Sequence, residues 1–169
     1  MILIGFGNSW WLRTKSVTAE CVETMFLPDV NVLIYSHRTD SCDDHAAFAA
    51  WLTGLASGYE PFALSSLALA GVVRIVTNPR IFRRPSHHDE VFAFIGELVD
   101  RPNARVIHPG PRHLEIFEDL CRRSMATGKL VADAQHAAVA VEHGCTMVTT
   151  DSDFDRFPEL RWQHPLRNR

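Results

Sequence analysis

Apolar positions along the chain switch repeatedly between two spacings. Short β-prone runs (Met25-Phe26-Leu27-Pro28, Pro61-Phe62-Ala63-Leu64, Arg105-Val106-Ile107-His108 and Thr146-Met147-Val148-Thr149-Thr150) are separated by stretches where apolar side chains recur every three or four residues. A helix-like run follows Asp29, from Val30 to Tyr35. Asp43 to Ala56 carries Ala46, Phe48, Ala49, Leu52 and Leu55 on one face and stops before Gly58. Ser65 or Ser66 suits the cap of a helix through Ala70, Val73 and Val76, halted by Asn78-Pro79. Helices are also predicted from His87 to Val99, from Pro111 through Leu114, Phe117 and Cys121, and from Leu130 to His143, where Gly144 ends the last. Strands alternating with helices predict a parallel sheet with helices on both faces, a three-layer α/β domain.

A chain of 169 residues, 46% hydrophobic and 22% charged, supports one domain with a proper core. The pattern divides it into an N-terminal extension at 1–24, a domain at 25–165 and a short tail at 166–169. Met1 to Trp11 is apolar but lacks the basic start and the cleavage site of a signal peptide. The sheet pattern begins only at Met25, so the extension is expected to reflect a start codon called too early, with initiation near Val22 or Met25; a genuine N-terminal arm is the alternative. No apolar run reaches the roughly 18 residues of a membrane-spanning helix. The four cysteines, Cys21, Cys42, Cys121 and Cys145, form no C-x-x-C pair, and a reducing cytoplasm is expected.

The chemistry gathers at strand ends. Asp29 follows the first strand, Asp151 follows the last, and Asp133 opens the final helix. Strand C-termini and helix N-termini share one edge of a parallel sheet, so the three carboxylates converge there. Packed carboxylates repel, and such a cluster is tolerable mainly when it holds a hard cation, Mg²⁺ or Mn²⁺. Taken singly, Asp29 reads equally as a helix cap, Asp133 as a partner of the helix dipole, and Asp151 with Asp153 and Asp155 as turn residues. A calcium loop starting at Asp151 fails, because its sixth and twelfth positions hold Arg156 and Trp162 rather than glycine and glutamate. The nine histidines form no H-x-x-x-H pair, which argues against zinc. The net charge of -3 gives no general attraction to nucleic acid. Any such contact needs a local basic face, for which Arg80, Arg83 and Arg84 beside Phe82 are the candidates, with phosphate contact and base stacking in view.

Taken together, these segments resemble the PIN domain, and specifically the VapC-type toxins of toxin–antitoxin pairs. The residues that carry the resemblance are Leu27 to Tyr35, Leu69 to Phe82, Leu130 to Ala138 and Thr149 to Phe154. It implies a PIN-like three-layer fold with a central, mainly parallel sheet. It also implies a Mg²⁺- or Mn²⁺-dependent endoribonuclease of a type II toxin–antitoxin pair. Its partners would be a cognate VapB-like antitoxin and an RNA substrate, in a homodimer or larger complex with the antitoxin, away from membranes. In that reading Asp29, Asp133 and Asp151 are catalytic and hold the ion with support from Asp153, while Asn31 and Thr150 orient the site or the substrate. Phe48, Trp51 and Leu52 are the expected apolar surface for a partner helix.

One position departs from the family, which carries a glutamate on the helix after the second strand where this chain has Gly71. Either another acid compensates, with Glu115 or Asp119 as candidates, or the site is impaired; Gly71→Glu would restore the charge if that face of the helix points inward. Two other functions compete: a degenerate PIN fold that only binds RNA or protein, and a haloacid-dehalogenase-like phosphatase. Asn31 and Leu33 stand where the phosphatase motif needs its second acid and its Thr or Val.

Overall fold

The computed structural model describes residues 25–167. The extension at 1–24 and the last two residues of the tail lie outside the described residues, so the expectations for them are neither supported nor opposed by the fold.

Strand β1 (Phe26–Pro28) leads into α1 (Val30–His37) and α2 (His45–Ser57). Then come β2 (Phe62–Ser65), α3 (Ser66–Val76), α4 (His88–Val99), β3 (Ala104–Ile107), α5 (His113–Ser124), α6 (Lys129–Glu142) and β4 (Thr146–Val148). A turn of 3-10 helix, Ser152–Arg156, and a two-residue strand β5 (Trp162–Gln163) complete the order. All pairings are parallel, in the spatial order β3-β2-β1-β4-β5. Strand β5 is not visible as a pattern, because two half-buried residues show no periodicity. Ser65 caps α3, its hydroxyl accepting from Leu67 N–H at 3.2 Å.

Alternation along β2 builds the layers. Phe62 and Leu64 face a core with Leu33 of α1, Leu52 of α2, Val72 of α3 and Val91 of α4. Ala63 faces the other core, with Leu120 of α5, Ala134, Ala137 and Ala138 of α6, and Phe154 and Phe157 beyond β4. The alanines let α6 lie close to the sheet, which brings its N-terminal turns up to the strand ends. Phe48 and Leu52 are buried and only Trp51 is half exposed, so the expected partner surface on α2 is instead part of the core. Helix α2 is nearly all apolar or alanine, and composition alone misassigns its faces. Open apolar surface lies between α3 and α4, in a groove of roughly 510 Å³ lined by Leu69, Ala70, Val73, Phe92 and Ile95 with Arg74.

Gly71 packs against the start of α1. A Cβ at that position would stand 2.9 Å from Val30 Cγ2, closer than side chains tolerate. Helical valine is nearly confined to one rotamer, so Val30 has little room to swing aside. Gly71→Ala therefore sets overpacking of about 1–3 kcal/mol against a propensity gain of about 1 kcal/mol. The expected net result is a loss of up to about 2 kcal/mol, relieved when Val30→Ala is added. Urea unfolding of the two single variants and the double variant checks this, and simple additivity would show that the two positions do not touch.

Candidate metal centre

The pairing of β1 with β4 decides where the acids go. Phe26, Leu27 and Pro28 stand level with Thr146, Met147 and Val148, and Asp29 N–H donates to the Val148 carbonyl at 2.9 Å. Both strands therefore release the chain at the same height, with Asp29 beside Thr149 and Asp151 two residues on. This is the switch point of the sheet: the chain winds outward from β1 to β3, then crosses back to add β4 on the far side of β1. Open parallel sheets bind ligands at such points.

Asp29 is 5% exposed and does not cap α1 with its side chain. Its Oδ2 accepts from Thr149 Oγ1 at 2.9 Å, and the same hydroxyl oxygen accepts from Asp151 N–H at 3.1 Å. One buried hydroxyl thus ties the ends of β1 and β4 together. Asp151 does behave as a turn residue, its Oδ1 accepting from Asp153 N–H at 2.9 Å, but its Oδ2 takes no part in the turn and accepts from Lys129 Nζ at 2.6 Å. Asp133 stands a full turn into α6, beyond a capping position.

Ligand oxygens of Asp133, Asp151 and Asp153 lie within 4.8 Å of one another. Asp29 is not one of this trio; it lies deeper, close enough that its charge acts on Asp133. Asp133 Oδ2 is buried without a hydrogen-bond partner among the described residues. A buried acceptor left without a donor is costly in a folded protein. Burial, with the charges of Asp151, Asp29 and Asp153, pushes the Asp133 carboxyl up to about 6 against the opposing charge of Lys129. Burial likewise raises Asp29, partly offset by His136 and by the Thr149 hydroxyl. For Asp151 burial is outweighed by the hydrogen bonds from Lys129 and from Asp153 N–H, and its carboxyl falls below the ordinary range. An all-oxygen trio with an orphaned carboxylate oxygen and mutual repulsion fits a hard divalent cation.

Three participants lie outside the residues named from sequence. Thr149, not Thr150, supplies the hydroxyl that reaches the acids. His136 faces Asp29 from α6, and burial, with Arg74 adding to it, holds its imidazole below the usual range despite the pull of Asp29. Lys129 pairs with Asp151 and, at 3.5 Å, with Asp153. Lys129 and His136 stand four residues before and three after Asp133, a spacing that puts all three on one helix face. Asn31 is half-buried in the first turn of α1, at the same edge.

The compensating acids are not found where expected. Glu115 pairs with Arg112 and Asp119 with Arg123, exposed side chains on the outer face of α5 and at its N-cap. Arg80, Arg83 and Arg84 are exposed and form no ion pair among the described residues. Phe82 is not open for base stacking on both faces: the Arg38 guanidinium lies 4.1 Å from its ring centroid. Arg38 also donates to Ser86 Oγ at 2.6 Å and the Arg84 carbonyl at 2.8 Å, and pairs with Asp40.

A family model for the PIN domain matches residues 26–160. The chain belongs to the PIN-domain family. This PIN domain is 40% identical over 141 residues to ribonuclease VapC31 of Mycobacterium tuberculosis, covering 83% of this chain and 99% of that one. It is also 40% identical over 142 residues to VapC ribonuclease Mb2897 of Mycobacterium bovis, covering 84% and 96%. Among solved structures it is similar to VapBC-1 from nontypeable Haemophilus influenzae, with a TM-score of 0.61 at 15% identity, covering 85% of this chain and 100% of that one. It is similar as well to VapC20 of Mycobacterium tuberculosis, described as a sarcin-ricin loop cleaving toxin, with a TM-score of 0.57 at 20% identity, covering 80% and 98%. At those identities the structures speak to the fold. Membership of the PIN family removes the haloacid-dehalogenase reading.

The raised Asp133 carboxyl has a pH signature. Its value goes from 3.8 to about 6 on folding, so the folded state favours the proton. In chelator, its contribution to stability is full below about pH 4 and is lost as pH rises through about 6. Asp133→Asn should escape that loss, as read from urea midpoints across the range. Added Mn²⁺ should bind progressively more weakly as pH falls below about 6, because the ion competes with the proton; calorimetry at several pH values checks it.

Proposed function

We propose that this PIN domain is the ribonuclease toxin of a toxin–antitoxin pair, that it cleaves RNA phosphodiesters with Mg²⁺ or Mn²⁺, and that a VapB-like antitoxin restrains it. The observation that carries the reading is the acidic trio with its orphaned Asp133 oxygen at the switch point, in a chain 40% identical along most of its length to proteins named as VapC ribonucleases.

Asp133, Asp151 and Asp153 would hold the ion, with Asp29 behind them as the charge that keeps the site acidic. A divalent cation there supplies positive charge to the scissile phosphate and lowers the pKa of a bound water. The chain's own residues do the rest. Thr149 fixes Asp29 and the Asp151 backbone relative to each other. Asp133, pushed up to about 6 by burial and its acidic neighbours when no cation is bound, would be held deprotonated as a ligand once the ion arrives. Neutral His136 offers its ring beside Asp29 without adding charge. Arg80, Arg83 and Arg84 would draw in the RNA backbone, since an acidic centre needs basic flanks to approach a polyanion. Gly71 supports the competing reading of a degenerate, binding-only domain, because α3 offers no carboxylate there.

Asp133→Asn and Asp29→Asn should each cut RNA cleavage at least a hundredfold while the far-ultraviolet spectrum stays native. Cleavage by both variants at the wild-type rate would exclude this site; no metal-dependent cleavage by the wild type would favour the binding-only domain. Arg83→Gln with Arg84→Gln should weaken RNA binding without regard to sequence and flatten its salt dependence, by a slope change of roughly 1 to 2. Filter binding at several salt concentrations measures it.

A further inference from the structure

We infer that Lys129 is a tethered cation that competes with the divalent ion for the outer carboxylates and thereby sets the free-metal concentration the site requires. This rests on reading the acidic trio as a metal centre.

Lys129 Nζ lies 2.6 Å from Asp151 Oδ2 and 3.5 Å from Asp153 Oδ2. Its charge also acts on Asp133, four residues along the same helix. An ammonium is a compact point charge with three donors, and carboxylate oxygens receive it much as they receive a metal ion. It reaches only part of the site, since Asp133 Oδ2 stays without a donor. The inner position is left to another cation, and the outer two carboxylates must be shared.

Nothing in the helix itself calls for lysine here. Lys129 is the first residue of α6, where the helix dipole disfavours a positive charge. Its acid partner on the same helix is C-terminal to it, the weaker order for a pair at this spacing. The side chain is 68% exposed, so no packing fixes it and its four-carbon stem is free to swing into water when a metal arrives. Competition of this kind is reversible.

The test is titration of Mn²⁺ into chelator-stripped full-length protein by calorimetry. Lys129→Gln and Lys129→Met should bind Mn²⁺ roughly fivefold more tightly than wild type, the scale of a single exposed ion pair, and Lys129→Arg, which keeps the charge, should stay close to wild type. Unchanged or weaker binding by both neutral variants would overturn the inference, as would Arg behaving like Gln. Asp133→Asn serves as the control. If it binds Mn²⁺ as wild type does, the metal centre itself is misassigned; if it loses binding while Lys129→Gln gains nothing, only the role of Lys129 fails.

Discussion

Like charges held against one another are the constraint from which the rest of this molecule follows. Four aspartates come to one sheet edge from three separate segments, and each is expensive to bring near the others. The expense is met by local devices rather than by distance. Thr149 donates to Asp29, the Asp153 amide donates to Asp151, and Lys129 lies across Asp151 and Asp153. Among the described residues, Asp133 Oδ2 is the one buried carboxylate oxygen left without a donor, and the site is unfinished at that point.

That arrangement needs the sheet to be wound as it is. Because β4 is added beside β1 and not beyond β3, the two strand ends that carry Asp29 and Asp151 become neighbours. A run of alanines on α6 then lets Asp133 approach from one side. The large side chains of that layer come mostly from the strands, from α5 and from the segment after β4, at Leu27, Met147, Leu120, Phe154 and Phe157.

Much of this was legible from spacing. Strand ends and helix starts in alternation locate Asp29, Asp133 and Asp151 on one edge, and the pattern needs no contact information to do so. What the pattern leaves open depends on register and on faces. Thr149 and Thr150 are indistinguishable until the strands are paired, because a shift of one residue turns each side chain over. Which of four acids form the tight trio is a matter of a few ångströms, and no periodicity encodes it. The buried face of α2 is obscured by its near-uniform apolar composition. Lys129 and His136 were within reach, since their offsets from Asp133 are helical, but a lysine at a helix start reads as an ordinary solvated residue. The fit of Gly71 against Val30 has no trace in either segment taken alone.

Arg38 gives α1 a second use. The N-terminus of this helix follows Asp29, and at its other end Arg38 grips the basic loop through Ser86, the Arg84 carbonyl and the Phe82 ring. Eight helical residues make a strut about 12 Å long. The acidic edge and the Arg80–Arg84 segment are therefore not independent surfaces that drift relative to one another. They are the two ends of one stiff rod, and a flexible strand laid across both is measured against a fixed length.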